Sequence, residues 1–428
     1  MSFTQNDIVV GPGARLSRAR RLFFALLLAM LGAFGPLSID TYLPSLPQIA
    51  GDLSISTAAT QGTITAFLIG MAIGQIFIGP ISDSRGRRGP LLLALAFFTL
   101  ASFFCARTSS GEGFIALRFA QGLSGAGGVV LSRAIACDLF RGPELTSFMA
   151  VLIAIQSVAP IVAPLLGGGL AALGGWHAVF VFLTGFGLLL VCLCAWRMPE
   201  TLLPEARRPG GVLASLRYTS KLFGEKAFMC FAGVQGFTMA GFFGYVAASP
   251  FILQDMYGFS PTAYGMIFGA NALSLSLMAV ITGRLARRVS EEKLLVAGNI
   301  LRWVASLAVL GVTLARPASP WPLLAALYCM ITLQGVTFAT SFTLGIASQD
   351  VGAGAASGVI GVAVFIFGAF SSPLVGLAGP GTAVPLGIVC AVTGSAALIL
   401  SLMGTRALRL RRERLAAAAP AGSAPPEN

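Results

Sequence analysis

Twelve long apolar runs, separated by short charged or Gly/Pro-rich breaks, constrain this chain more than any other feature. They lie near residues 22–44, 58–80, 89–106, 113–138, 146–170, 176–196, 227–251, 262–283, 294–315, 320–347, 353–378 and 382–404. A membrane crossing by an α-helix takes about 20 mostly apolar residues. In hydrocarbon each backbone N–H and C=O must be bonded within its own segment, so such runs read as helices. Charged residues make up only 10% of the chain and hydrophobic ones 56%. A soluble domain carries roughly 25% charged residues. The expected fold class is therefore an all-α integral membrane protein of twelve transmembrane helices.

The basic residues set an orientation. Of the 28 Lys and Arg residues, 23 fall in segments on one side if the N-terminus is inside. Arg107 and Arg316 are the two on the other side, and Arg118, Arg133 and Arg302 lie within spans. The positive-inside rule then puts both termini in the cytoplasm and calls for an even number of spans. It also accounts for the net charge of +12 without nucleic acid as a partner. Arg15, Arg18, Arg20 and Arg21 precede a run too long for a signal-peptide core, so the first run reads as an uncleaved span. The longest polar inner segment, residues 198–226, divides the chain into two six-helix bundles, 22–197 and 227–404. Residues 1–21 form a cytoplasmic N-terminal tail and 405–428 a cytoplasmic tail expected to be disordered.

Several classes of chemistry are absent. The seven cysteines lie in or at the ends of spans without metal-ligand spacing, which points to packing. There is one histidine, His177, beside Trp176 at an outer interface, where membrane anchoring is the expected role. No phosphate-binding loop and no Ser–His–Asp set is visible, so the chain does not read as an enzyme, and no cofactor or metal is called for.

Four stretches carry chemistry. In "SIDTYLPSLPQ", Asp40 sits near the end of the first span. It either meets the outer water or faces an internal cavity, where a carboxyl could take up and release a proton. Ionisable groups inside spans usually face the bundle interior. Gly35-Pro36 loosens the helix one turn earlier. In "LRFAQGLSGAGGVV", Arg118 stays charged; inside the bundle it needs a partner, either Asp40 or a bound substrate, and the competing reading is a side chain that snorkels outward. Gly122, Gly125 and Gly128 recur every three residues and present a smooth packing face. "SVAPIVAPLLGGGL" places Pro160, Ala163, Pro164, Gly167 and Gly168 in one span, a kinked helix suited to a joint between rocking halves. In "GPISDSRGRRG", Gly79, Asp83, Gly86, Arg87 and Arg88 read as an inner-face latch. Asp83 is expected to pair with basic groups or with a helix N-terminus across the interface between halves.

Together these stretches resemble the major facilitator superfamily, and within it the Bcr/CflA multidrug-resistance exporters. "IDTYLPSLPQIA" is similar to that family's first-span signature, "GPISDSRGRR" to the superfamily's inner-loop motif and "RFAQGLSGA" to its fourth-span motif. "APLLGG" is similar to the fifth-span motif associated with antiporters, and "SPFILQDMYGFSPTAYGMIFGANAL" to the seventh-to-eighth-span stretch. The resemblance covers residues 22–404. It implies a drug:proton antiporter of twelve spans in the bacterial inner membrane, working by alternating access and functional as a monomer. It makes Asp40 the acid that responds to proton and substrate, with Arg118 as its cationic counterpart. Two departures stand out: Ser84 follows Asp83 where a basic residue is usual, and Cys137 precedes Asp138 where an Arg is usual, with Arg133 as a possible substitute.

Tyr42, Gln61, Gln156, Gln235, Phe237, Tyr245, Asn271 and Gln334 are candidates to line a cavity, with packing as the competing role for each. Arg302 is either interfacial or paired. The expected function is proton-coupled export of small amphipathic drugs; the alternative is export of an endogenous metabolite such as an amino acid.

Overall fold

The computed structural model describes residues 17–207, 217, 219–349, 353–377, 379 and 381–418. The N-terminal tail with Arg15, linker residues 208–216 with Arg208, and the last ten residues lie outside them. Every regular element described is helical.

The first span is two helices. α1 (Arg18–Gly32) begins on Ser17, whose hydroxyl accepts from the Arg20 N–H. α2 (Phe34–Asp40) follows after Ala33, and the axis bends by 45° there. Pro36 has no N–H to give the Gly32 carbonyl, and glycines at 32 and 35 weaken the same turn. A single tight turn (Leu43–Ser45) and α3 (Leu46–Asp52) complete this region.

α4 (Thr57–Arg85) and α6 (Gly111–Leu139) are full-length helices capped by Ser56 and Ser110, with α5 (Arg88–Cys105) between them. α7 (Gly142–Gln156) stops at Ser157, inside the run read as the fifth span, and α8 (Ala159–Arg197) starts with Pro160 in its first turn. α8 is interrupted at Gly174 and Gly175, the latter at φ 64°. The C-terminal group is α9 (Lys226–Pro250), α10 (Pro261–Leu285), α11 (Glu291–Ala315), α12 (Trp321–Ala347), α13 (Ala353–Leu374) and α14 (Val384–Ala418). A π-helical turn, Phe251–Met256, extends α9. α14 continues well past residue 405, so the start of the tail is helix rather than disordered. Its Arg, Leu, Glu and Ala residues are all good helix formers. Ten of the described helical segments are long and apolar enough to cross a membrane, or eleven with the bent first pair counted as one.

Each helix sorts its faces. On α5, Leu93, Phe97, Leu100 and Phe104 recur every three or four residues and are more than half exposed, while Leu91, Leu95 and Phe98 are buried. A stripe of large apolar side chains facing outward suits hydrocarbon, not water. The exposed faces of α8 (Leu188, Leu189), α10 (Leu277, Ile281) and α11 (Leu301, Val304) do the same. All seven cysteines are free.

The N-terminal helices pack among themselves, as do the C-terminal ones, and two long seams join the groups: α4 against α13 and α8 against α10. The α4–α13 seam is antiparallel, since Gln61 meets Gly376 and Gln75 meets Gly361. The end of α4 with Arg85 therefore shares a face with the start of α13. Arg87, beside Arg85, bonds Asp138 at the end of α6, and Arg21 on α1 bonds Glu144 close by. Arg411 on α14 binds the Ser348 carbonyl, just before α13. Both described chain ends thus lie on this basic face.

Candidate functional site

Asp40 ends α2, is 7% exposed and makes no hydrogen bond or ion pair with any described residue. Its carboxyl lies within electrostatic reach of the Tyr245 and Tyr264 hydroxyls, on α9 and α10 of the other group. It therefore faces the interior between the groups rather than open water.

Arg118 does not pair with Asp40. Its guanidinium bonds Gln121 and donates to the Ser38 carbonyl at 3.1 Å. That carbonyl belongs to the last turn of α2, where helix acceptors lack intrahelical donors. The arginine, 0% exposed, lies among three rings: Tyr42 at 4.2 Å, Phe67 at 4.6 Å and Phe180 at 5.7 Å. Such faces hold a cation without an anion. Gln121 passes the chain on to Ser102 at 2.7 Å, and Tyr42 bonds Thr63 at 3.0 Å. Arg118 thus anchors the backbone that carries Asp40 and leaves the carboxyl unneutralised.

The facing wall is a polar-aromatic cluster. Asn271 donates to the Tyr245 hydroxyl at 2.8 Å, and Ser249 and Tyr264 share a hydrogen bond of 3.1 Å. Phe268 lies beside both rings, stacked on Tyr245. Tyr264 and Ser249 were not singled out from sequence. Their spacing was a usable signal: Tyr264 precedes Asn271 by two helical turns and Tyr245 precedes Ser249 by one.

On the face away from the chain ends, the groups are tied directly. Gln61 donates to the Ala247 carbonyl at 3.1 Å, Thr65 to the Ala369 carbonyl at 3.1 Å and Gln254 to the Pro44 carbonyl at 3.0 Å. The fifth-span Pro/Gly stretch forms the other tie. A Cβ at Gly167 would lie 1.9 Å from the Thr41 oxygen, and one at Gly168 2.8 Å from the Pro261 oxygen. From α10, a Cβ at Gly265 would lie 2.5 Å from the Pro164 oxygen. Ala163 and Pro164 are buried in this contact, while Pro160 opens the helix.

On the basic face Arg87 is the hub. It bonds Asp83 one turn back, Ser82 at 2.7 Å and Asp138 at 2.9 Å, and Thr201 also donates to Asp138, at 3.1 Å. Asp138 is thus held by Arg87; Arg133 is exposed and makes no bond to it. Asp83 pairs within its own group, not across the interface. The carboxylate at a helix N-terminus is instead Glu200, which sequence reading missed. It accepts the Arg87 N–H at 2.8 Å and the Arg88 N–H at 3.2 Å, where α5 begins. Gly86, at φ 97°, is required there, since a Cβ would come 2.5 Å from Glu200. Arg88 reaches the Ala195 carbonyl at 2.7 Å, and a Cβ at Gly79 would make ordinary contact with Val130 at 3.7 Å.

The remaining candidates make contacts that do not include Asp40. Gln156 packs its amide against Gly32, and Phe237 meets Phe367 edge-on. Gln235 is bonded by Ser341, and Gln334 donates to the Met239 sulfur at 3.5 Å. His177 lies against Trp176 with the two rings tilted by 31°, and the Trp176 indole N–H donates to Asp52. Arg302 is fully buried, so it is not interfacial; it donates to the Thr238 carbonyl at 3.3 Å.

Long lipid-facing helices around buried charged and polar groups define a multi-pass membrane protein. The sequence profile of the Major Facilitator Superfamily matches residues 22–372, and the chain belongs to that family: it is a transporter, not an enzyme. The MFS-type transporter YdgK of Bacillus subtilis is 41% identical over 87% of this chain and 93% of its own length. A bicyclomycin resistance protein homologue of Haemophilus influenzae is 30% identical over 85% of the chain and 91% of its own. Among solved structures, a bacterial homologue of the lysosomal transporter Spinster, in an inward-facing, unoccupied conformation, aligns with a TM-score of 0.70. It covers 95% of this chain and 100% of its own at 14% identity, a likeness of fold alone.

Proposed function

We propose that the protein is a proton-coupled antiporter of the Bcr/CflA type that exports small amphipathic drugs across the bacterial inner membrane by alternating access. The observation that carries this reading is Asp40: a nearly buried carboxyl without a cation, facing Tyr245 and Tyr264 across the interface. A proton or a substrate can satisfy such a group, but not both at once. Competition of that kind is what exchange requires. A proton crossing 100 mV supplies roughly 2.3 kcal/mol.

The architecture read here is twelve spans in two six-helix bundles, 22–197 and 227–404, with cytoplasmic termini. The stretch Ser147–Arg197 has 51 residues. At 1.5 Å per residue that is roughly 77 Å, far beyond the roughly 30 Å hydrocarbon core. Its break at Gly174-Gly175 divides it into two crossings, which brings eleven to twelve. The basic face is the cytoplasmic one by the positive-inside rule. In this scheme the Gln61, Thr65 and Gln254 bonds close the outer face. The Arg87 hub braces the inner ends of α4, α5 and α6, and the α8–α10 glycine contacts keep the halves tight against leak. Tyr42 supports Arg118, while Gln61, Tyr245 and Asn271 border the path. The name of the Haemophilus relative supports a drug as substrate.

The test is transport in proteoliposomes under an imposed pH gradient, with a small drug panel. Drug movement that follows the gradient in the wild type and vanishes in Asp40→Asn is the expected result. Cells carrying Asp40→Asn at normal expression and full drug resistance would sink the assignment. Amino-acid release without drug resistance would replace the substrate class.

A further inference from the structure

A second set of buried polar groups lies within the C-terminal helices, away from Asp40. Three helices each contribute a stripe. α9 presents Gln235 and Thr238, α11 presents Asn299 and Arg302, and α12 presents Gln334 and Thr337. Within each pair the residues are three apart, so they share a helical face. The stripes meet. Ser341 on α12 bonds Gln235, Gln334 donates to Met239 beside Thr238, and Arg302 donates to the Thr238 carbonyl.

These groups are poorly satisfied by one another. Arg302, Thr238 and Thr337 are 0% exposed, and Gln235 is 1% exposed. Yet Arg302 Nε and Nη1, Thr238 Oγ1, Thr337 Oγ1 and Gln235 Nε2 have no hydrogen-bond partner. All of these are donors or can donate; on the same stripes the Asn299 and Gln334 side-chain oxygens are acceptors without a partner. A buried cation whose donors go unmatched is costly, most of all in a membrane protein. Arg118, the other fully buried arginine, has three rings and two hydrogen bonds around it and leaves only its Nε unmatched. Arg302 has one hydrogen bond of 3.3 Å and no aromatic ring over its guanidinium among the described residues. No carboxylate forms an ion pair with it among the described residues. The Cys390 thiol lies within electrostatic reach of it.

We propose that Arg302, with the Thr238, Thr337 and Gln235 side chains, forms a binding site for a small monovalent anion inside the C-terminal helices. The positive charge and the unmatched donors select an anion. The packing selects a small one: a Cβ at Gly241 would already lie 3.0 Å from Arg302 Nη2. The site is separate from Asp40, so it stands or falls independently of the drug-export reading.

The experiment uses the purified full-length protein in detergent, with chloride replaced stepwise by gluconate at constant ionic strength. Chloride raises the melting temperature of the wild type along a saturable curve, because it binds the folded state. Arg302→Gln abolishes the rise, and a Gln235→Leu, Thr238→Val double variant shifts half-saturation at least fivefold higher. General salt effects would move all variants alike. The proposal is overturned if chloride leaves the wild-type melting temperature unchanged, or if Arg302→Gln responds like the wild type. Should Arg302→Gln not fold, a wild-type chloride response in the double variant overturns it equally.

Discussion

The Arg118 guanidinium donates to the Ser38 carbonyl oxygen, 3.1 Å away, and not to Asp40 two residues further along the same helix. The arginine acts on the acid by holding its backbone. This separates two contacts that an ion pair would have merged: Arg118 holds the backbone at Ser38, and the Asp40 carboxyl has no cation paired with it.

Arg118→Ala is therefore expected to leave the Ser38 carbonyl and Gln121 without their donor. Each orphaned buried group costs about 1–3 kcal/mol, so the loss from the two should be about 2–6 kcal/mol. Arg118→Lys should restore part of it, since an ammonium keeps the charge but cannot bridge both acceptors and lie flat among the rings. Thermal unfolding of purified variants measures this. An Arg118→Ala protein as stable as the wild type would show that the α2 anchor is not needed.

The glycines after Pro164 differ sharply in what surrounds them. Gly167→Ala forces a Cβ to within 1.9 Å of the Thr41 oxygen, a backbone atom that cannot swing aside. Overpacking of this kind costs about 1–3 kcal/mol or more. Gly169 has nothing within 4 Å of a built Cβ. Gly169→Ala should be neutral or stabilise by up to about 1 kcal/mol through helix propensity. Melting temperatures of the two variants, side by side, decide it; equal effects would mean that the α2–α8 contact is soft.

Ala58→Cys with Gly376→Cys is expected to join α4 to the segment after α13. A Cβ at residue 376 would lie 3.1 Å from the Ala58 Cα, which puts the two Cα atoms at most about 4.6 Å apart, at the short end of the roughly 4.4–6.8 Å that a disulfide spans. Oxidation should halt transport in proteoliposomes and reductant should restore it. Continued transport through the cross-linked protein would show that this seam does not open during the cycle.

Glu200 gives a pH-dependent handle on the basic face. Burial pushes its carboxyl up, but the backbone N–H groups of Arg87, Leu202, Arg88 and Thr201 together pull it further down, below the ordinary 4.5. A depressed folded-state value means the stabilisation is complete above about pH 4.5 and is lost as pH falls through the lower folded value. Wild-type melting temperature should drop faster below pH 4.5 than that of Glu200→Gln, with the two curves converging in acid. Parallel curves would remove Glu200 as the cap of α5.

Asp138→Asn should weaken the same hub, because the ion pair at 2.9 Å with Arg87 becomes at best a neutral-acceptor hydrogen bond. Arg133→Ala should not, since Arg133 makes no bond to Asp138. Protease protection of the loop before α5 in the two variants distinguishes them. Equal protection would contradict Arg87 as the residue that holds Asp138.

The sequence by itself determined that the chain is a bundle of membrane-length helices. It also located Asp40, Arg118, the Pro/Gly stretch and the basic inner loop as its unusual sites. Those features are local: transfer of a 20-residue apolar run into hydrocarbon, or the missing N–H of a proline, depends on contiguous residues. The break in the first span was legible for the same reason, although it falls at Ala33 rather than at Gly35-Pro36. Only the tertiary structure decided the partners. Arg118 bonds Ser38 across 80 positions, Gln61 bonds Ala247 across 186, and Glu200 caps a helix more than 100 residues earlier. No periodicity encodes such pairings, because they depend on which helices pack and at what height. Asp40's neighbours, Tyr245 and Tyr264, come from the other half of the chain and are brought to it by the packing of the two groups along α4–α13 and α8–α10.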